Sequence, residues 1–412
     1  MKRILMRGEK SPLEDLSVEE IIHYDRMGSN PGNMLFAHSV CRSVMVSDDT
    51  QIDVIKTGKA VFTDSMVKKF NETYDIFIIP LANAFRFTFI NELEIITNLV
   101  NRLSIPCVVI GCGIQGEKTK NDPAPLHKAV KNFMKAVLKK SSCIGIRGEN
   151  TAKFLENLGF VRNKDFMVIG CPSMYLNGAN LPVPEKIPFD EIERVSVTAR
   201  FTLWWSTHVL LSNAINNFKD TYFLPQTTIE LREIYLGLTP ETYPTDYARK
   251  FLPLAPDFYP YGRKSGLMKQ GRILGFTNVY SWFDFLKTRQ FAIGSRIHGT
   301  IAAVLSGVPA FVVVPDLRVE ELAEFHNIPH ISMEEISERP ETTIRELYEN
   351  TDFSQITIGH KERFENYVKF LELNKVDNVF SRKMDLNDLP FDRKTKDFNR
   401  NGIITPFWSA DE

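Results

Sequence analysis

At 412 residues the chain is too long for one ordinary hydrophobic core, so two domains are expected. Its hydrophobic fraction of 43% with 25% charged residues is that of a globular protein, and no apolar stretch approaches the roughly 20 residues of a membrane span. A formal net charge of -1 excludes a general nucleic-acid binder, which needs a large basic excess. The run from Met1 to Arg7 turns charged at once and is not expected to be a signal peptide. The five cysteines, Cys41, Cys107, Cys112, Cys143 and Cys171, form no CxxC pair. Reduced, buried thiols in a cytoplasmic protein are therefore expected.

Short apolar runs alternate with helical patterns through the first half. Residues 28–33 are rich in turn formers, and asparagines such as Asn30 and Asn33 favour turns but also suit sugar hydroxyls. Residues 76–79 read as a buried strand, with 83–86, including Asn83, as a cleft loop behind it. The strand 108–110 runs into Gly111-Cys112-Gly113-Ile114-Gln115-Gly116, which matches GxGxxG in letters but opens no helix at once. Its glycines fit a backbone turning closely past a cleft. A helix over 126–138, a strand over 143–146, a helix over 151–158 stopped by Gly159, and a strand over 167–169 follow.

The proline-rich stretch 181–188 has no period and reads as a linker, 181–190, between a first domain, 1–180, and a second, 191–345. The second series has strands at 195–198, 222–224, 291–293 and 311–314, with helices at 207–218, 281–288 and 300–306. Residues 253–262, rich in proline and aromatics, are expected to loop over the cleft. A late helix over 362–373 and a polar, irregular tail packed on the surface complete residues 346–412. Strands alternating with helices predict an α/β fold of two doubly wound, Rossmann-like domains facing across a cleft, with ligands beyond the carboxyl ends of the strands.

The richest chemistry lies in Gly294-Ser295-Arg296-Ile297-His298-Gly299-Thr300, between a strand and a helix. Arginine grips an oxyanion with a planar fork, histidine moves a proton near neutral pH, and the amides of His298, Gly299 and Thr300 would open the helix towards an anion. The same pair also suits a helix cap bonded to nearby carbonyls. Arg318, just past the next strand, is a candidate second cation or a surface arginine paired with Glu320 or Glu321. Arg200, at the end of the run 195–199, is a candidate third anion ligand. His208 and Trp204-Trp205 are placed to line the cleft, and the tryptophans equally suit the core.

Ser295-Arg296-Ile297-His298-Gly299-Thr300-Ile301, followed by Gly307-Val308-Pro309, resembles the signature of the polysaccharide pyruvyl transferase family. Gly32-Asn33, Tyr74-Asp75-Ile76, Gly113-Ile114 and Ile146-Arg147-Gly148-Glu149 with Leu158-Gly159 resemble further family motifs in order. The resemblance spans about residues 24 to 335. Departures are Cys171-Pro172 where the family has aspartate-proline, Arg318 where it often has lysine, and Ala82-Asn83 in place of glycines.

The resemblance implies a fold similar to GT-B glycosyltransferases. It also implies transfer of the enolpyruvyl unit of phosphoenolpyruvate to two hydroxyls of a sugar, forming a pyruvate ketal. Under it, Arg296 and Arg200 hold the donor with Arg318 and the Gly299 and Thr300 amides, and His298 is the acid. Asn30, Asn33, Asn83 and His208 face the acceptor. No metal or cofactor beyond the donor substrate is implied. The acceptor is a cell-surface polysaccharide or its lipid-linked precursor, which would bring a cytoplasmic protein to the inner face of a membrane. A GT-B nucleotide-sugar glycosyltransferase and a non-catalytic glycan-binding protein are the competing expectations.

Overall fold

A computed structural model of the chain describes residues 2–28, 30–115, 122–199, 205–236 and 266–406. Its first sheet is parallel, with strands β1 (Arg3–Arg7), β2 (Gln51–Ile55), β3 (Ile76–Pro80) and β4 (Cys107–Ile110) in the order β2-β1-β3-β4. A parallel bridge from Cys112 to Ile146 carries this order on to β5 (Ile144–Ile146), which pairs in parallel with β6 (Phe166–Val168). The second sheet holds β7 (Arg194–Thr198), β8 (Asp220–Phe223), β10 (Phe291–Gly294), β11 (Ala310–Val314) and β12 (His330–Ser332) in the order β12-β11-β10-β7-β8, again parallel. Between β8 and β10 the chain forms the short β9 (Gly275–Phe276). The expected doubly wound α/β architecture is present. Every residue of β3, β4, β10 and β11 is buried, as continuous apolar strands covered on both faces should be.

Each sheet has a point where its strand order reverses: between β1 and β3 in the first, and between β7 and β10 in the second. Loops leaving adjacent strands diverge there, which opens a crevice beyond the carboxyl ends. The helix Pro31–Val44 of the first unit lies against the helix Ile297–Leu305 of the second, bringing the two crevices together.

Several elements differ from expectation. β1 and β2 were not anticipated: only Ile4, Leu5 and Met6 are apolar in β1, between charged neighbours, although these three are buried at the centre of the sheet. The turn formers at 30–33 open a 14-residue helix, Pro31–Val44, instead of a loop. The Asn30 side chain caps it by accepting from the Asn33 amide at 3.2 Å, with proline in the first turn. The tail is not merely superficial. Val379, Leu389, Phe391 and Ile404 are buried, and β13 (Ile403–Ile404) pairs antiparallel with β9. The late helix, His360–Leu373, returns to the first sheet, where Asn366 donates to the Val168 carbonyl at 2.7 Å. All five cysteines are free and buried.

Candidate functional site

The turn after β10 is built by close packing. Gly294 pairs in register with Thr198 of β7, and the Ser295 amide donates to the Thr198 carbonyl at 2.8 Å. A Cβ on Gly299 would stand 2.7 Å from Thr198 Oγ1, so only glycine lets the helix start this close to β7. Arg296 is the N-cap and the helix runs Ile297–Leu305, three residues earlier than its apolar pattern suggested. That shift matters for Thr300. Its amide donates to the Arg296 carbonyl at 3.1 Å, inside the helix, and its side chain is buried. The amides ahead of the first helical bond are those of Ile297, His298 and Gly299.

His298 is partly accessible and stands at the junction of the two units. Its ring lies against Gly32 in the first turn of the helix Pro31–Val44: a Cβ there would be 2.6 Å from the imidazole Cγ and Nδ1. On the other side, His298 Nε2 is 3.6 Å from Cys171 Sγ. Burial pushes the imidazole down to about 3, and the guanidiniums of Arg147, Arg318 and Arg296 add to the effect. His298 is therefore neutral near pH 7 when the crevice holds no anion.

Arg147 is the residue that sequence reasoning missed as a cleft cation. It follows β5 and is 1% exposed. Its Nε donates to the Gly111 carbonyl at 2.9 Å and its Nη1 to Asn83 Oδ1 at 3.0 Å, while the guanidinium lies 5.6 Å from the Phe36 ring centroid. Nη2 is buried without a hydrogen-bond partner among the described residues. A buried donor left unmade is costly, so this guanidinium is preorganised for an acceptor. Its position in the Ile146-Arg147-Gly148-Glu149 motif was the only signal in the sequence.

Arg318 pairs with its own helix cap, Asp316, at 3.1 Å, and not with Glu320 or Glu321. Glu321, on the same helix, accepts from the Thr151 amide at 2.6 Å and from Thr151 Oγ1 at 3.0 Å. This buried contact ties the turn that carries Arg147 to the helix that carries Arg318. Arg147, Arg296, His298 and Arg318 line one crevice together with Asn30, Asn33 and Asn83. Asn83 serves Arg147, and the Asn33 side chain bonds to the Gly28 carbonyl.

A larger cavity of about 470 Å³ adjoins the crevice at the reversal point of the first sheet and shares Asn30, Asn33, Asn83 and Arg318 with it. The helix Trp205–Asn217 carries His208. Arg200, Trp204, the expected cleft loop 253–262 and the last residue of the glycine-rich run, Gly116, lie outside the described residues.

This architecture and site define an α/β protein with a cationic crevice between two parallel sheets. The family model described as polysaccharide pyruvyl transferase matches residues 87–316, more than half of the chain, and the chain belongs to that family. The search of curated proteins gives no match. Among solved structures, the chain is similar to a UDP-GlcNAc 2-epimerase from Methanocaldococcus jannaschii in complex with UDP-GlcNAc and UDP. The identity is 12% and the TM-score 0.44, over 90% of this chain and 99% of that one. A UDP-GlcNAc 2-epimerase from Neisseria meningitidis bound to UDP-GlcNAc gives 10% and 0.43, over 91% and 100%. The wall teichoic acid polymerase TagF gives 11% and 0.36, over 96% and 88%. No helix among the described residues is long and apolar enough to cross a membrane.

Proposed function

We propose that the protein transfers the enolpyruvyl unit of phosphoenolpyruvate to two hydroxyls of a sugar in a polysaccharide or its lipid-linked precursor. The observation that carries this reading is the convergence of Arg147, Arg296 and Arg318 with His298 on one crevice. A small donor with a carboxylate and a phosphate needs several cations within one small volume, and guanidiniums bind both groups in two places. The amides of Ile297, His298 and Gly299 add helix-terminal donors.

In the reaction, carbon 3 of the donor takes a proton and one acceptor hydroxyl bonds to carbon 2. The bond from carbon 2 to the phosphate oxygen breaks, and the second hydroxyl closes the ketal. Of the two hydroxyl protons released, one balances the new methyl hydrogen and the other leaves with phosphate. His298 is the proton-transfer group. Burial and then three guanidiniums depress the imidazole; the donor's negative charge offsets the guanidiniums and so favours protonation of His298 as the donor binds. A general acid contributes about 10²–10⁴ in rate. The acceptor lies in the adjoining cavity.

The test is mass spectrometry of lipid-linked oligosaccharides after incubation with phosphoenolpyruvate in heavy water, with free phosphate assayed in parallel. The expected product carries one pyruvate ketal with one deuterium in its methyl group and releases one phosphate per ketal. His298→Ala lowers the yield at least roughly a hundredfold. Nucleotide release from a nucleotide sugar, with no ketal, would contradict the proposal.

A further inference from the structure

The cavity beside the arginine crevice has an inner wall with unmet hydrogen-bonding capacity. Lys10 follows β1 and is 9% exposed; His38, on the helix Pro31–Val44, is 6% exposed; both line the cavity. Among the described residues Lys10 Nζ makes one hydrogen bond, to the Thr277 carbonyl at 3.2 Å, and lies 6.0 Å from the Phe398 ring centroid. An ammonium has three hydrogens to place, and among the described residues no carboxylate lies within ion-pairing distance of it. The nearby Asp15 is committed elsewhere: one oxygen accepts from Asn278 Nδ2 at 3.2 Å and the other from the Asn399 amide at 2.6 Å.

His38 packs edge-on to Tyr280 and Phe391, and neither ring nitrogen has a hydrogen-bond partner among the described residues. Burial pushes its imidazole down to about 3, with Arg42 and then Lys10 contributing, so the ring is a neutral donor and acceptor. The other charges on the cavity wall are largely matched: Arg7 with Glu92, Arg26 with Glu14, Glu9 with Lys56, Arg318 with Asp316.

Burial pulls the Lys10 ammonium down to about 8, and Asp15 and then Glu14 oppose this through space without a direct ion pair. A carboxylate or phosphate in the cavity would pair with the ammonium directly, and a neutral sugar ring brings no such charge. We infer that Lys10 and His38 form an oxyanion subsite that recognises a carboxylate or phosphate ester borne on the acceptor sugar. The inference rests on the reading of this cavity as the acceptor site. The shared wall of Asn30, Asn33, Asn83 and Arg318 places the charged substituent on the same bound molecule that presents its hydroxyls to the donor. The cavity's size is that of a small-ligand site.

The test is equilibrium binding by calorimetry and ligand-observed NMR, without turnover. The probes are methyl β-glucuronide for the carboxylate, galactose 6-phosphate for the phosphate ester, and methyl β-galactoside and methyl β-glucoside as neutral controls. At least one anionic probe is expected to bind roughly tenfold or more tightly than its neutral control, as one charge-assisted hydrogen bond allows. Lys10→Met should abolish the preference, Lys10→Arg should keep it, and His38→Phe should weaken it, with thermal unfolding confirming that each variant folds. The responding probe identifies the oxyanion. Equal affinity for charged and neutral probes, no anionic probe binding, or a preference that survives Lys10→Met because the arginines hold the anion would each overturn the inference. Phosphoenolpyruvate binding is measured on the same samples. Its absence with the anion preference intact would instead count against pyruvyl transfer.

Discussion

At the scale of single residues, His298 is decided by what touches it. Burial, and then three guanidiniums, hold it neutral, and Cys171 Sγ approaches Nε2 at 3.6 Å without a fixed carboxylate charge. A carboxylate in place of that sulfur would favour the imidazolium. In Cys171→Asp the His298 resonance should therefore titrate at least about one pH unit higher than in the parent protein. Histidine side-chain NMR, assigned with His298→Asn, measures this, and an unchanged titration would remove Cys171 from contact with the ring. Arg296 and His298 were legible in the sequence because a strand, a turn and a helix start stand in immediate succession there. Arg147 was not legible as a cleft cation. Its direction depends on the Gly111 carbonyl and on Asn83, 36 and 64 residues away, and no local pattern encodes such partners.

At the scale of elements, the crevice depends on how two helix starts are joined. Glu321 holds the beginning of the helix Glu149–Asn157 through Thr151, whose Oγ1 in turn accepts from the Ile114 amide at 3.0 Å. Gly148 permits the approach, since a Cβ there would meet Glu321 Cγ at 2.3 Å. Glu321→Ala leaves buried donors unmet and should cost about 1–3 kcal/mol of stability. It should also weaken phosphoenolpyruvate binding by letting the Arg147 turn move relative to Arg318. Glu321→Gln, which keeps one acceptor oxygen, should restore part of both losses. Thermal unfolding and donor KM measure the two effects, and a wild-type KM in a destabilised Glu321→Ala protein would confine Glu321 to a structural role. The helix Pro31–Val44 escaped sequence reading because Asn-Pro-Gly-Asn letters serve a turn and a helix cap equally well. Apolar residues on most of its faces also blur the helical period.

At the scale of the molecule, the alternation of strands and helices was sufficient to foresee two parallel sheets and a cleft between them. The central position of β1 was not foreseeable from three apolar residues, because its burial is imposed by β2 and β3 on either side. The order of strands, and hence the two reversal points that open the crevices, is likewise a property of the assembled sheets. Donor binding in the cationic crevice between those sheets underlies the proposed transfer. Calorimetric titration of the intact protein with phosphoenolpyruvate, with no acceptor present, tests it most directly. One donor should bind per chain, with an affinity at least roughly tenfold weaker in Arg147→Met, whose missing guanidinium removes charge-assisted bonds. No binding by the parent protein, or an unchanged affinity in a folded Arg147→Met, would contradict it.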